Sequence, residues 1–182
     1  KIIACILSAI MLLSMAACAS SGTENTGDAA QQTTAPADTT GKLLVGYGKA
    51  NITPTESVPL QGYGSTEKRM SNGFKSHLYH IAIAITDTQG NTGILISADA
   101  CSAQTAVADA IREGIERECG VPAENVILTN IHQHSTPDMT NSKAPTGIEY
   151  KDDIFIPKAI EAAKLAMENR TVTTAVQTTS LE

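Results

Sequence analysis

Tryptophan is absent from this 182-residue chain, and aromatic residues make up only 3% of it. So few rings argue against a stacking platform for single-stranded nucleic acid or sugars. No basic cluster or stripe is present and the formal net charge is −6, which argues against a phosphate-backbone partner, so no nucleic acid is expected. "GYG" occurs at 46–48 and again at 62–64, but no G-x-G-x-x-G and no Gly-Lys-Ser/Thr follows, so neither is a phosphate cradle. Ser135 has no G-x-S-x-G elbow around it and reads as a solvated loop serine.

Long apolar runs are lacking except at the start. Residues 1–22, "KIIACILSAIMLLSMAACASSG", are too short an apolar stretch to span a bilayer comfortably and have the layout of a secretory signal. "LSMAAC" resembles a bacterial lipobox, with Ala16 and Ala17 just before Cys18. That resemblance implies a lipoprotein signal peptide over residues 1–17, cleavage before Cys18 and diacylglycerol on its sulfur. Each buried acyl methylene then holds the protein to a membrane by about 0.8 kcal/mol. The expected address is exported and lipid-anchored to the bacterial cell membrane; ordinary signal cleavage with Cys18 incidental is the alternative. Residues 18–42 read as the lipidated cysteine and a disordered tether, since 19–41 hold no large apolar residue.

Four cysteines are present. Cys5 leaves with the signal and Cys18 carries lipid, which leaves Cys101 and Cys119 at the two ends of a helix expected over 102–119. At a rise of about 1.5 Å per residue the pair lies far beyond disulfide reach. Both are expected to be reduced and buried or half-buried.

From Lys42 onward the pattern is globular. "KLLVGYGKANIT" (42–53) begins as a strand, with Gly46, Gly48, Gly62 and Gly64 marking turns or close backbone packing. "HLYHIAIAITD" (77–87), the turn "DTQGN" and "TGILISADA" (92–100) read as a hairpin, apolar enough for strands covered on both faces. A helix follows, with Ser102 as N-cap, Val107, Ile111 and Ile115 as its apolar stripe, and Gly120 and Pro122 as its end. "NVILTNIH" (125–132) is a strand. "IPKAIEAAKLAMEN" (156–169) is a helix with Ile156, Ile160, Ala163 and Met167 on one face and Pro157 in its first turn. "TVTTAVQTT" (171–179) reads as one more strand. The expected fold class is α/β, a mixed β-sheet flanked by helices.

Ligands in such folds gather beyond the carboxyl ends of strands. "VILTNIHQHSTPD" (126–138) puts His132 and His134 there, and Asp99 ends the neighbouring strand. In an extended segment residues i and i+2 share a face, so both imidazoles could line one cavity. Imidazole is a common zinc ligand, but a catalytic zinc needs three protein ligands, so the pair is half a site at most. His77 and His80 read as structural, and Asp99 equally as a turn or capping carboxylate.

Order along the chain adds more than spacing does. "VGYGKANITP" (45–54), "PLQGYG" (59–64), "HLYHIAIAI" (77–85), "GILISADA" (93–100) and "ENVILTNIHQHSTPD" (124–138) follow one another in register. Together they resemble the N-terminal part of the neutral/alkaline non-lysosomal ceramidase family, with its Gly-rich opening strand and its "H-T-H-S-x-P-G" motif. The resemblance implies an incomplete N-terminal portion of a larger catalytic domain over 43–182. It implies zinc-dependent hydrolysis of the N-acyl bond of ceramide or a related N-acyl lipid. His132 is then a metal ligand and His134 catalytic, while the remaining ligands and a serine nucleophile come from farther downstream. The fragment alone is expected to be inactive. Gln133, Thr136 and Asp138 replace family residues in the motif, Ile81 stands for an arginine and Asn51 for the usual aspartate. A lipid-anchored, non-catalytic binding or surface-interaction protein on the same scaffold is the alternative.

Overall fold

Every second residue of the first three strands faces the same layer, and that alternation builds the core. The computed structural model describes residues 39–62, 64, 68–140 and 145–175. The expected signal peptide, the lipidation site Cys18 and residues 18–38 of the tether lie outside them. The strands are β1 (Leu43–Asn51), β2 (Tyr79–Thr86), β3 (Thr92–Ala98), β4 (Val126–Asn130) and β5 (Thr171–Thr173). The helices are α1 (Thr105–Cys119), α2 (Pro145–Tyr150) and α3 (Ile156–Glu168). The sheet order is β4-β3-β2-β1-β5, with β3 and β4 parallel and the other pairs antiparallel. This is the mixed α/β sheet that the pattern predicts, and α1 is the crossover that sets β4 beside β3.

The hairpin is as expected. Asp87 Oδ1 accepts the N–H groups of Gln89 and Asn91, each at 2.8 Å, which fixes the turn between β2 and β3. Burial is one-sided, however. Ala82, Ala84, Ile94, Ile96 and Ala98 are buried with Ile111 and Ile115 of α1, whereas Ile83, Ile85, Leu95 and Ile127 on the other face are exposed. Among the described residues the sheet is covered on one face, not two.

Three expectations about helices need correcting. Ser102 does not cap α1; the cap position is Gln104, without a side-chain bond, and Ser102 Oγ accepts from Gln61 Nε2 at 3.0 Å. The helical run of α3 begins earlier than 156, at Pro145, and passes through a π-helical turn over Lys151–Phe155. Pro157 has no N–H to give to the carbonyl four residues back, and the Ile156 N–H reaches Lys151 O instead. The buried face of α3 is also rotated: Ala159, Ala162, Ala163 and Ala166 are fully buried, with Ile156, Ile160 and Met167 only partly so. Gly46 and Gly48 explain it, because a Cβ on either would overlap the backbone of Ala166 or Ala162. Small residues on both sides bring the helix close to β1. The final strand pairs with β1 over three residues only; positions 176–179 of its expected length lie outside the described residues.

Candidate metal and catalytic centre

Strand β4 stops at Asn130, but its path beside β3 continues for two residues. The N–H of Ile131 donates to Ala98 O at 3.2 Å and that of His132 to Ala100 O at 3.0 Å. His132 then turns left-handed at φ 60°, the one non-glycine among the described residues with positive φ. The two imidazoles therefore do not meet through strand alternation, as the sequence suggested. A kink brings them together. Their ring centroids are 5.1 Å apart at 68° and their Nε2 atoms 3.5 Å apart.

The His132 ring is held from behind. Its Nδ1 lies 2.9 Å from the carbonyl oxygen of Cys101. A carbonyl can only accept, so Nδ1 carries the proton and Nε2 keeps its lone pair, facing His134. The Cys101 N–H in turn donates to Thr136 Oγ1 at 3.0 Å, and that hydroxyl donates to Gln133 O at 3.1 Å. The Gln61 N–H donates to Thr136 O at 3.0 Å, so fully buried Thr136 ties three loops together around the histidines. Asp138 is equally structural: its N–H reaches Pro59 O at 2.7 Å and its Oδ1 accepts from the N–H and hydroxyl of Thr140.

Gly62 is the seat of the second imidazole. A Cβ there would overlap the His134 ring, and φ of 109° is a conformation side chains rarely adopt. Gly62, which opens the second "GYG", thus serves as a floor under His134, and Gly46 and Gly48 of the first as the landing for α3.

The other polar residues singled out from the sequence go elsewhere. Asp99 Oδ2 accepts the Tyr79 N–H at 2.9 Å, a turn carboxylate. His80 is fully buried, with Nε2 donating to Phe155 O at 3.0 Å, and burial lowers its pKa to about 4 against that bond's opposing pull. His77 sits at the surface against Phe74, with Nδ1 3.2 Å from Thr53 Oγ1. Ser135 is exposed at the rim of a groove lined by Leu60, Met70, Phe74, Leu78 and Pro137.

Sequence reasoning overlooked Cys101. It lies past the end of β3, beside the continuation of β4, and not at the end of the helix. Cys101 and Cys119 are both free thiols, the first buried and the second half-buried, as expected. One ligand atom each from Cys101, His132 and His134 falls within 4.8 Å of the other two. The signal was available in the parallel neighbours: "SADAC" and "NIHQH" end adjacent strands.

These donors suit a zinc-like ion. An imidazole whose Nδ1–H is anchored on a carbonyl presents Nε2 in the tautomer and orientation that ligation needs. An Nε2–Nε2 gap of 3.5 Å is long for a hydrogen bond and leaves room for a third participant between the rings. No helix among the described residues is long and apolar enough to cross a membrane.

The fold has known counterparts. The neutral ceramidase of Pseudomonas aeruginosa superposes with a TM-score of 0.63 at 20% identity, over 72% of this chain and 22% of that one. A ceramidase complexed with C2 gives 0.62 at 21% identity, over the same shares. The chain thus spans about a fifth of the length of those structures. No curated protein matches it. The family model "Neutral/alkaline non-lysosomal ceramidase, N-terminal" matches residues 43–162, the whole of the sheet but its last strand together with most of α3. On that match, the chain belongs to the neutral/alkaline non-lysosomal ceramidase family.

Proposed function

We propose that the longer protein to which this chain contributes is a zinc-dependent amide hydrolase that cleaves the N-acyl bond of ceramide or a related N-acyl lipid. The observation that carries the reading is the His132 ring, anchored through Nδ1 on Cys101 O and open at Nε2 beside His134. When bound, zinc supplies Lewis acidity, polarising the amide carbonyl and acidifying water. His132 would hold the ion. Cys101 O fixes the tautomer, so the lone pair stays at Nε2. His134, positioned on Gly62, takes the proton from the attacking water and returns it to the departing amine nitrogen. The apolar groove of Leu60, Met70, Phe74 and Leu78 flanks the same loop and suits an acyl chain.

Because the chain spans 22% of the P. aeruginosa enzyme, residues 1–182 alone are proposed to be inactive. The test is zinc content and ceramide turnover in the full-length protein, with His132→Ala beside it. Full activity in that variant would defeat the ligand role. A lipid-anchored, non-catalytic binder is the second reading, favoured by Thr136 and Asp138, which serve the loop's structure where the family motif differs. It predicts ceramide binding without turnover. Attachment through Cys18 to a bacterial cell membrane is proposed from the lipobox; incorporation of labelled palmitate, lost in Cys18→Ser, checks it.

A further inference from the structure

Between Glu67 and Asp87 the chain carries no acid, while Lys68, Arg69 and Lys75 stand there in a protein whose formal net charge is −6. Two large apolar side chains lie between the lysines: Met70 is 46% exposed and Phe74 59%. Lys68 and Lys75 are exposed beside them. The backbone here is pinned, so these groups cannot simply fold inward. The Ser71 N–H donates to Val58 O and the Leu60 N–H to Arg69 O, each at 2.8 Å. The Phe74 ring rests on His77 with centroids 4.9 Å apart, and His77 Nδ1 lies 3.2 Å from Thr53 Oγ1. Glu56 lines a hollow shared with Asn72 and Phe74, and even counted with it the ledge stays cationic.

We propose that residues 68–75 form a docking ledge for the surface of an anionic lipid bilayer. Two exposed lysines make no track for nucleic acid, and lysine is depleted where proteins meet. At a bilayer the same combination is favourable. An aromatic ring and a thioether enter the boundary between headgroups and acyl chains, and the ammonium groups reach lipid phosphates. Met70 and Phe74 also rim the groove that Ser135 borders, so docking would set the mouth of that groove against the bilayer.

The test uses the full-length protein produced from Ala19 onward, so that neither the apolar leader nor an acyl chain on Cys18 contributes, with ceramide-free vesicles. It should cosediment with vesicles of phosphatidylglycerol and phosphatidylcholine, far less with phosphatidylcholine alone, and less as salt rises. Lys68→Gln combined with Lys75→Gln should lower the partition coefficient roughly thirtyfold. Phe74→Ser should lower it by roughly tenfold or more. Far-ultraviolet circular dichroism should stay unchanged in both, because all three side chains are exposed. Variants that bind like the wild type, or equal binding to neutral vesicles, overturn the proposal. No binding to any vesicle overturns it too, and makes a protein the partner of this ledge. Docking without ceramide turnover would sink the functional reading above and leave this one standing; turnover without docking would do the reverse.

Discussion

Acid should destabilise this protein through one residue that takes no part in the site. His80 is fully buried on the inner face of β2, its ring edge-on to Phe155 with centroids 4.4 Å apart. Nε2 donates to Phe155 O at 3.0 Å, while Nδ1 finds no partner among the described residues. Protonation would place a charge and an unmatched N–H in that position, and burial accordingly lowers the pKa from 6.5 to about 4. Above pH 6.5 the folded and unfolded chains are both neutral at this ring, and it contributes no pH dependence. As the pH falls from 6.5 toward 4, the unfolded chain takes up a proton that the folded one refuses. Stability therefore drops by about 1.4 kcal/mol per pH unit, roughly 3 kcal/mol in all. Below about 4 the loss from this ring levels off.

His80→Gln isolates the effect, because the Gln amide can still donate to Phe155 O but does not titrate. Urea unfolding of both proteins above pH 6.5 and near pH 4 should show the variant losing about 3 kcal/mol less than the wild type. Carboxylates titrate alike in both and cancel. An equal loss in the two proteins would refute the reasoning, as would a His80 proton resonance in the folded protein that titrates near 6.5.

Four further substitutions probe the architecture. Gly62→Ala forces a Cβ into the His134 ring; the proposed ceramide turnover of the full-length protein should fall on the order of a hundredfold, with circular dichroism preserved. Gly48→Ala pushes against the backbone of α3 at Ala162 and should cost about 1–3 kcal/mol by denaturant unfolding, whereas Gly93→Ala meets only an ordinary contact and should cost under about 1 kcal/mol. Thr136→Val leaves the Cys101 N–H without its buried acceptor, a loss of about 1–3 kcal/mol in the same assay.

The strands, the hairpin and the neighbourhood of β3 and β4 could be read from the chain because the apolar runs are bounded by clear turns, whereas the places of β1 and β5 in the sheet and its one-sided burial could not. Nor could the inner face of α3. Alanine is equally at home on either side of a helix, and only the seating of Ala162 and Ala166 on Gly48 and Gly46 reveals that the small residues point inward. The early start of the helical run was hidden by Pro157, which reads as a first turn but here follows a π-helical one. In the site, "HQH" and its place past β4 were legible, and the kink that pairs the rings was not. Nothing in "NIHQHS" marks a left-handed residue, since no Gly or Asn stands at 132. Cys101 escaped notice because it was assigned to a helix whose first residue proves to be Thr105.

The backbone at 132 would be more comfortable with another residue. At φ 60° a β-carbon is a burden of about 1–2 kcal/mol that glycine would not carry. Stability and chemistry thus pull in opposite directions at one position: relieving the backbone removes the imidazole. A screen that scores the fold alone would drift toward glycine here and discard the proposed activity on the way. Selection for turnover would hold histidine against the preference of its own main chain.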